Sequence, residues 1–248
     1  MKVVQASLSE FVTQHLAGRI LRGELAAGSA LPGENELATE YNVSRTSLRN
    51  ALATLAAKGL ISIQAKKRST VNARDQWSLL DIDVLNWLAT GKVDAELVEQ
   101  LMVTRLMFEP NVATLAALNA NGHDLAAMED ALTLMRSGQL EAEKTKFEAG
   151  DVAFHQALLR ATHNPFLLAL GNALSAAMVL SFRQTLEEDL HETKTAVDEH
   201  FQLFEAIRLR QADDARAFMR SILLHAAGKG GRQVVDPVGG NFHLFQPL

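Results

Sequence analysis

Residues Asn42–Arg74 read NVSRTSLRNALATLAAKGLISIQAKKRSTVNAR. The stretch holds seven Lys or Arg and neither Asp nor Glu, in a chain whose formal net charge is -5. Ser44 is placed to cap a helix in which Leu48, Leu52 and Leu55 recur at i, i+4 and i+7, a core-facing stripe. Arg45 and Arg49 lie four apart and share an exposed edge of the same helix. Gly59 closes it. LISIQ and STVN then read as two short strands around the basic tip Ala65-Lys66-Lys67-Arg68.

Working towards the N-terminus, Ser7 and Glu10 form a capping-box pair, and Phe11, Leu16, Ile20 and Leu21 supply the apolar face of a first helix that ends at Gly23. AAGSALPGE is a turn, residues 36–41 a short second helix, and Asn42-Val43 a tight turn. Three helices and a hairpin make a winged helix-turn-helix. Its third helix suits the major groove, and the wing's cations suit the backbone or the minor groove. Each neutralised phosphate releases counterions, so a DNA-facing segment gains by excluding acids. The expected contacts are Ser44, Arg45, Thr46 and Arg49 on the third helix, and Lys66, Lys67 and Arg68 on the wing. A merely solvated charged face would leave the agreement of helix order, turn and wing unexplained.

The rest of the chain differs in charge. Residues 1–75 carry a net +4 and the remainder -9, which points to a polyanion-binding part joined to a part with another task. At 248 residues, two domains are expected, each with its own core. The expected division is 1–75 for DNA binding, 76–228 for a helical ligand-binding and dimerisation domain, and 229–248 for a Gly-rich tail. Helix should dominate, because alanine and leucine abound while proline and aromatics are scarce. With no cysteine, disulfides and thiolate zinc sites are excluded. No stretch has the apolar length of a membrane span or the pattern of a secretory signal, so a soluble cytoplasmic protein with no membrane partner is expected.

Helical spacing continues over residues 78–90, 94–119, 123–136, 140–162, 165–188, 194–210 and 212–226, an all-α bundle. Three polar residues fall on its apolar stripes. Asp151 and His155 are four apart, bordered by Phe147, Phe154 and Leu158, and His200 lies on the stripe of Val197, Phe204 and Ile207. A buried carboxylate needs a compensating charge. Two arrangements supply it: an Asp-His pair beside a satisfied core histidine, or a divalent cation held by imidazole and carboxylate. Arg105 likewise has two readings, an i,i+4 ion pair with Glu109 or a fork for a small carboxylate. His15, His123, His163, His191 and His243 read as surface or capping residues.

LPGENELATEYNVSRTSLRNALATLAAKGLI resembles the N-terminal domain of the GntR family of bacterial transcription regulators. The resemblance implies DNA contacts at Arg45, Arg49 and Asn35. Two positions depart from its pattern: Asn35 stands where a basic residue is usual, and Arg68 where a glycine usually forms the wing tip. RLMFEP, DVAFHQALLRATHNPFL and DEHFQLFEAI resemble the FadR-type effector domain, called FCD. The resemblance implies that Asp151, His155 and His200 hold a divalent metal, zinc first, with nickel, manganese or iron as alternatives. Many members carry a further histidine where this chain has Ile222. Either three protein ligands suffice, or His225, one turn later, acts as a fourth. RDQWSLLDIDVLNWL, joined to this ligand pattern, resembles the members that answer to sugar acids, which implies an aldonate or uronate bound through its carboxylate and hydroxyl.

The resulting expectation is a homodimeric, ligand-responsive regulator on a pseudo-palindromic double-stranded DNA operator, a repressor of a sugar-acid catabolic operon and not an enzyme. Three rivals remain: a metal-dependent enzyme carrying a DNA-binding head, a regulator for which the metal is itself the signal, and a regulator with a fatty-acyl or other non-metal effector.

Overall fold

The computed structural model describes residues 7–65, 67–89, 95–174 and 193–229. It divides into two compact units, Met1–Asp94 and Ala95–Leu248. The first unit opens with α1 (Leu8–Leu21), capped reciprocally: the Glu10 N–H donates to Ser7 Oγ at 3.2 Å, and the Ser7 N–H donates to Glu10 at 2.6 Å. Then come α2 (Glu34–Glu40) and α3 (Arg45–Ala57). Asn42 joins them at φ 51, a left-handed conformation that asparagine tolerates. Ser44 caps α3 through the Ser47 N–H, 3.1 Å away.

Strands β1 (Ile61–Ser62) and β2 (Thr70–Val71) pair antiparallel, Ile61 against Val71. The turn before α2 does more than the sequence indicated. Its Leu31 N–H donates to Ser69 at 2.8 Å, and the Val71 N–H donates to Ser29 at 2.9 Å, so this segment lines the other edge of β2. Val12, Leu16, Ile20, Leu37, Leu48, Leu52, Leu55, Ile61 and Val71 form one core. The mainly α fold with a winged helix-turn-helix is therefore present, down to the Leu48, Leu52, Leu55 stripe.

The first unit extends past the boundary expected at residue 75. A short 3-10 turn (Arg74–Gln76) leads to α4 (Ile82–Ala89), which packs against α1. Trp77 and Trp87 lie against the head core. Lys58, at the end of α3, reaches Asp81 at 2.7 Å and Asp83 at 2.7 Å and lies over the Trp87 ring. The sequence pattern assigned α4 to the bundle because it is helical and apolar; its partners, which no periodicity records, lie in the head.

The second unit contains α5 (Ala95–Asn119), α6 (Gly122–Leu140), α7 (Lys144–Ala161), α8 (165–174 in its described part), α9 (Lys194–Arg208) and α10 (Ala212–Lys229). The expected all-helical bundle is what forms. Helix α5 packs against α7, α9 and α10, while α6 lies along α7. Their close approach depends on two glycines: a Cβ on Gly138 would sit 2.3 Å from the Phe147 backbone nitrogen, and one on Gly150 would sit 2.5 Å from that of Met135. No helix among the described residues is long and apolar enough to cross a membrane. The expected continuation of α8 to residue 188, the tail from 230 onwards, Lys66, His191 and His243 lie outside the described residues.

Gly59 tests the closure of α3. It sits at φ +75, and a Cβ there would approach the Gln76 carbonyl oxygen to 2.1 Å. Gly59→Ala is expected to destabilise the first unit by about 2 kcal/mol or more, read as faster hydrogen exchange of the α3 amides in the full chain.

Candidate DNA-binding face and buried cation site

Two sites stand on these units. On the first, Ser44, Arg45, Thr46 and Arg49 are exposed on α3, Asn35 is exposed on α2, and Lys67 and Arg68 are exposed on the wing. The sequence-predicted contacts thus lie on the solvent side of the elements expected to carry them. Their charge is not unopposed, as the acid-free stretch implied. Glu34 accepts the Arg49 Nε–H at 2.8 Å, and Glu36 lies 3.4 Å from Arg68 Nη2. Both acids sit in the first turn of α2, where the helix dipole favours them.

The second site is built from three helices. Helix α7 supplies Asp151 and His155, α9 supplies His200, and α5 supplies Arg105 and Glu109. All five are buried, none more than 6 % exposed. Ligand atoms of Asp151, His155 and His200 all lie within 4.8 Å of one another. His200 Nε2 is 3.0 Å from Asp151 Oδ1, and His155 Nδ1 is 2.9 Å from Glu109 Oε2. Both separations satisfy an ion pair, yet neither nitrogen meets hydrogen-bond geometry. Among the described residues these two atoms remain buried without an aimed partner.

His200 Nδ1 bonds the Ala196 carbonyl at 2.7 Å. A carbonyl can only accept, so Nδ1 carries the hydrogen and, in the neutral ring, Nε2 keeps its lone pair. Such an outer hydrogen bond is what orients a ligating histidine. Phe154 stands edge-on to the His200 ring, with centroids 5.2 Å apart. Two imidazole nitrogens without aimed partners and an adjoining carboxylate fit a divalent cation, because each would otherwise be a buried polar atom left unsatisfied.

Glu109 ties the cluster to Arg105, whose Nε–H donates to Oε1 at 2.6 Å while Nη2 lies 3.3 Å from Oε2. Burial pushes the Glu109 carboxyl up, but the charges of Arg105 and His155 outweigh it and hold the group at about 2. Asp151 is likewise held below the ordinary aspartate range against the pull of burial, by His200 first and then by His155 and Arg105. For His200 burial lowers proton affinity, and Asp151 raises it above the ordinary value. Both carboxyls are therefore anionic at neutral pH.

The two readings open for Arg105 are resolved in part: the i,i+4 pair with Glu109 exists. What the sequence missed is the third member of that pair, since Glu109 also reaches His155. Its one signal was its position four residues from a buried arginine. His225 does not join the cluster. Its side chain is 59 % exposed and its Nδ1 pairs with Glu199, while Ile222 is buried. Three residues along a helix leave a side chain about 60° round from the starting direction, enough to turn His225 outward. Of the remaining histidines, His15 bonds Tyr41 and His163 pairs with Asp124.

Known family models match both units of the chain. Residues 8–71 match the family model of bacterial regulatory proteins, gntR family, and residues 100–225 match the FCD domain. The chain is 35 % identical to the galactonate operon transcriptional repressor of Escherichia coli K12, over 81 % of this chain and 86 % of that protein. It is 34 % identical to the HTH-type transcriptional repressor NanR of Klebsiella aerogenes, over 86 % and 81 % of the two chains. Among solved structures, Lar, which controls expression of the Listeria monocytogenes agr system, superposes with a TM-score of 0.67 at 21 % identity, covering 92 % of this chain and 98 % of that one. That last likeness concerns the fold.

The buried pair makes a quantitative prediction. Glu109→Ala strips Arg105 of its counter-charge in the interior and is expected to cost about 3–5 kcal/mol of stability. Glu141→Ala, which breaks the half-exposed pair with Lys146, should leave stability nearly unchanged. Urea unfolding of the two variants compares them directly.

Proposed function

The chain belongs to the GntR family of bacterial regulatory proteins and carries an FCD domain, and we propose that it is a repressor released from its operator by a sugar acid. It is a transcription regulator, not an enzyme. The observation that carries the proposal is the pair of buried nitrogens, His155 Nδ1 and His200 Nε2, left without aimed partners beside Asp151. These three residues would hold a divalent cation, zinc before nickel, manganese or iron. Bound there, the cation supplies an electrophilic point for an anionic oxygen ligand.

Three protein ligands leave coordination positions open, and an aldonate or uronate brings a carboxylate and an adjacent hydroxyl to fill them. The likeness to the galactonate operon transcriptional repressor supports an acidic sugar as the class of effector. Arg105, whose charge is felt at Asp151, gives the incoming carboxylate a second positive neighbour. The Ala196 carbonyl keeps His200 turned towards the cluster.

On the DNA side, Ser44, Arg45, Thr46 and Arg49 enter the major groove with α3. Asn35, Lys66, Lys67 and Arg68 contact the flanking backbone and groove. A homodimer presents two such heads to a pseudo-palindrome, with the half-site spacing set by how the second units pair. Effector binding then favours a pairing that misplaces the heads. DNA affinity falls by as much as the effector prefers the released state, and by no more.

Two measurements check this reading. Arg49→Ala is expected to weaken operator binding roughly tenfold or more with the melting curve unchanged. In thermal melting against aldonates and uronates, a ligand at 100 times its Kd should raise stability by about 2.7 kcal/mol. Chelator, Asp151→Asn or His200→Ala should each remove that shift. A shift that survives all three would contradict the cation's role, and turnover of the sugar acid would contradict the function.

A further inference from the structure

The DNA-facing surface carries an anomaly. The stretch Asn42–Arg74 excludes carboxylates, as proximity to phosphate requires, yet α2 places Glu34 and Glu36 directly against the cations of that stretch. Neither contact is there for stability, since ion pairs this exposed contribute little to folding. Arg49 keeps 61 % of its side chain accessible and Glu34 keeps 40 %. An acid on this face repels the duplex, so its presence calls for a gain that outweighs the repulsion.

The geometry of the contact supplies one. Glu34 Oε2 accepts from Arg49 Nε at 2.8 Å, the inner nitrogen of the guanidinium. A guanidinium is planar and its N–H groups form a rigid fork. Fixing it through Nε sets the plane and leaves the Nη1 and Nη2 edge clear of this contact. That outer edge is the one that pairs bidentately with O6 and N7 of guanine. Without Glu34 the same side chain is a mobile cation, equally content with any phosphate.

We propose that Glu34 is a positioning residue for base recognition: it holds Arg49 through Nε so that the outer edge of the guanidinium meets a guanine in the major groove. The inference rests on the reading of Arg49 as a DNA contact. Glu36 does a parallel service for Arg68 on the wing, but its second oxygen also accepts the Gly33 N–H at 2.8 Å and so caps α2. Glu34 is therefore the cleaner residue to change.

The test uses the full-length protein and a duplex selected from a random pool by the unchanged protein, together with copies in which each base pair of one half-site is replaced in turn. Glu34→Ala is expected to bind non-specific duplex more tightly, because a repelling charge is gone. It should also lose roughly tenfold or more of its discrimination, the share that one bidentate arginine–guanine pair carries. The loss should fall at the same base pair at which Arg49→Ala loses it. Glu34→Gln keeps an acceptor for Nε and should keep the discrimination while gaining non-specific affinity. Three results overturn the proposal: unchanged discrimination in Glu34→Ala, a loss at a base pair other than Arg49's, or weakening that is uniform across all duplexes. If Arg49→Ala itself binds with unaltered affinity and base preference, the underlying reading of Arg49 falls as well, which separates that failure from a failure of positioning alone.

Discussion

A carboxylate taken out of water must meet positive charge or lose its own, and in the second unit two carboxylates are taken out of water within one cluster. Glu109 meets Arg105 and His155; Asp151 meets His200. The contact of Glu109 with Arg105 is complete, with two bonds from one guanidinium. The contacts with imidazole are not, because His155 Nδ1 beside Glu109 and His200 Nε2 beside Asp151 stand at ion-pair distance without hydrogen-bond aim. That asymmetry separates the structural ion pair from the cluster proposed to hold a cation. It also accounts for the packing around it. Helices α5, α7 and α9 must converge for the five side chains to meet, and the glycines at 138 and 150 let α6 seat closely against α7 from the other side.

Electrostatics governs the head in the opposite sense. Its cations are exposed, and its acids are few and placed at the start of α2, where the helix dipole steadies them. From there they reach Arg49 and Arg68, the very residues with which the head would meet DNA. The positive surface is thus arranged as well as concentrated. Concentration provides affinity through counterion release, which is blind to sequence. Arrangement is what discrimination between base pairs needs.

Helix α4 belongs to the head in physical terms. Lys58 ends α3 and binds both Asp81 and Asp83, the Trp77 indole N–H donates to the Asn72 carbonyl at 3.2 Å, and Trp87 packs on the head core. The head that meets DNA is accordingly larger than a winged helix-turn-helix ending at residue 75.

The sequence by itself determined the winged helix-turn-helix and the helical bundle. Both are written in local periods: leucines at i, i+4 and i+7 in α3, the Ser44 cap, Gly59 after the helix, and four-residue spacing between Asp151 and His155. Local hydrogen bonding and side-chain direction enforce those patterns whatever else the chain does. The sequence also placed His200 on an apolar stripe, which marked it as a buried polar group in want of a partner. Only the tertiary structure decided which partners were met. The approach of His200 to Asp151, of Glu109 to His155, of Glu34 to Arg49 and of α4 to the head each joins residues on different helices, and so does the outward turn of His225 towards Glu199. Such contacts depend on how helices cross and how closely they pack, quantities to which no repeat within a single helix is sensitive.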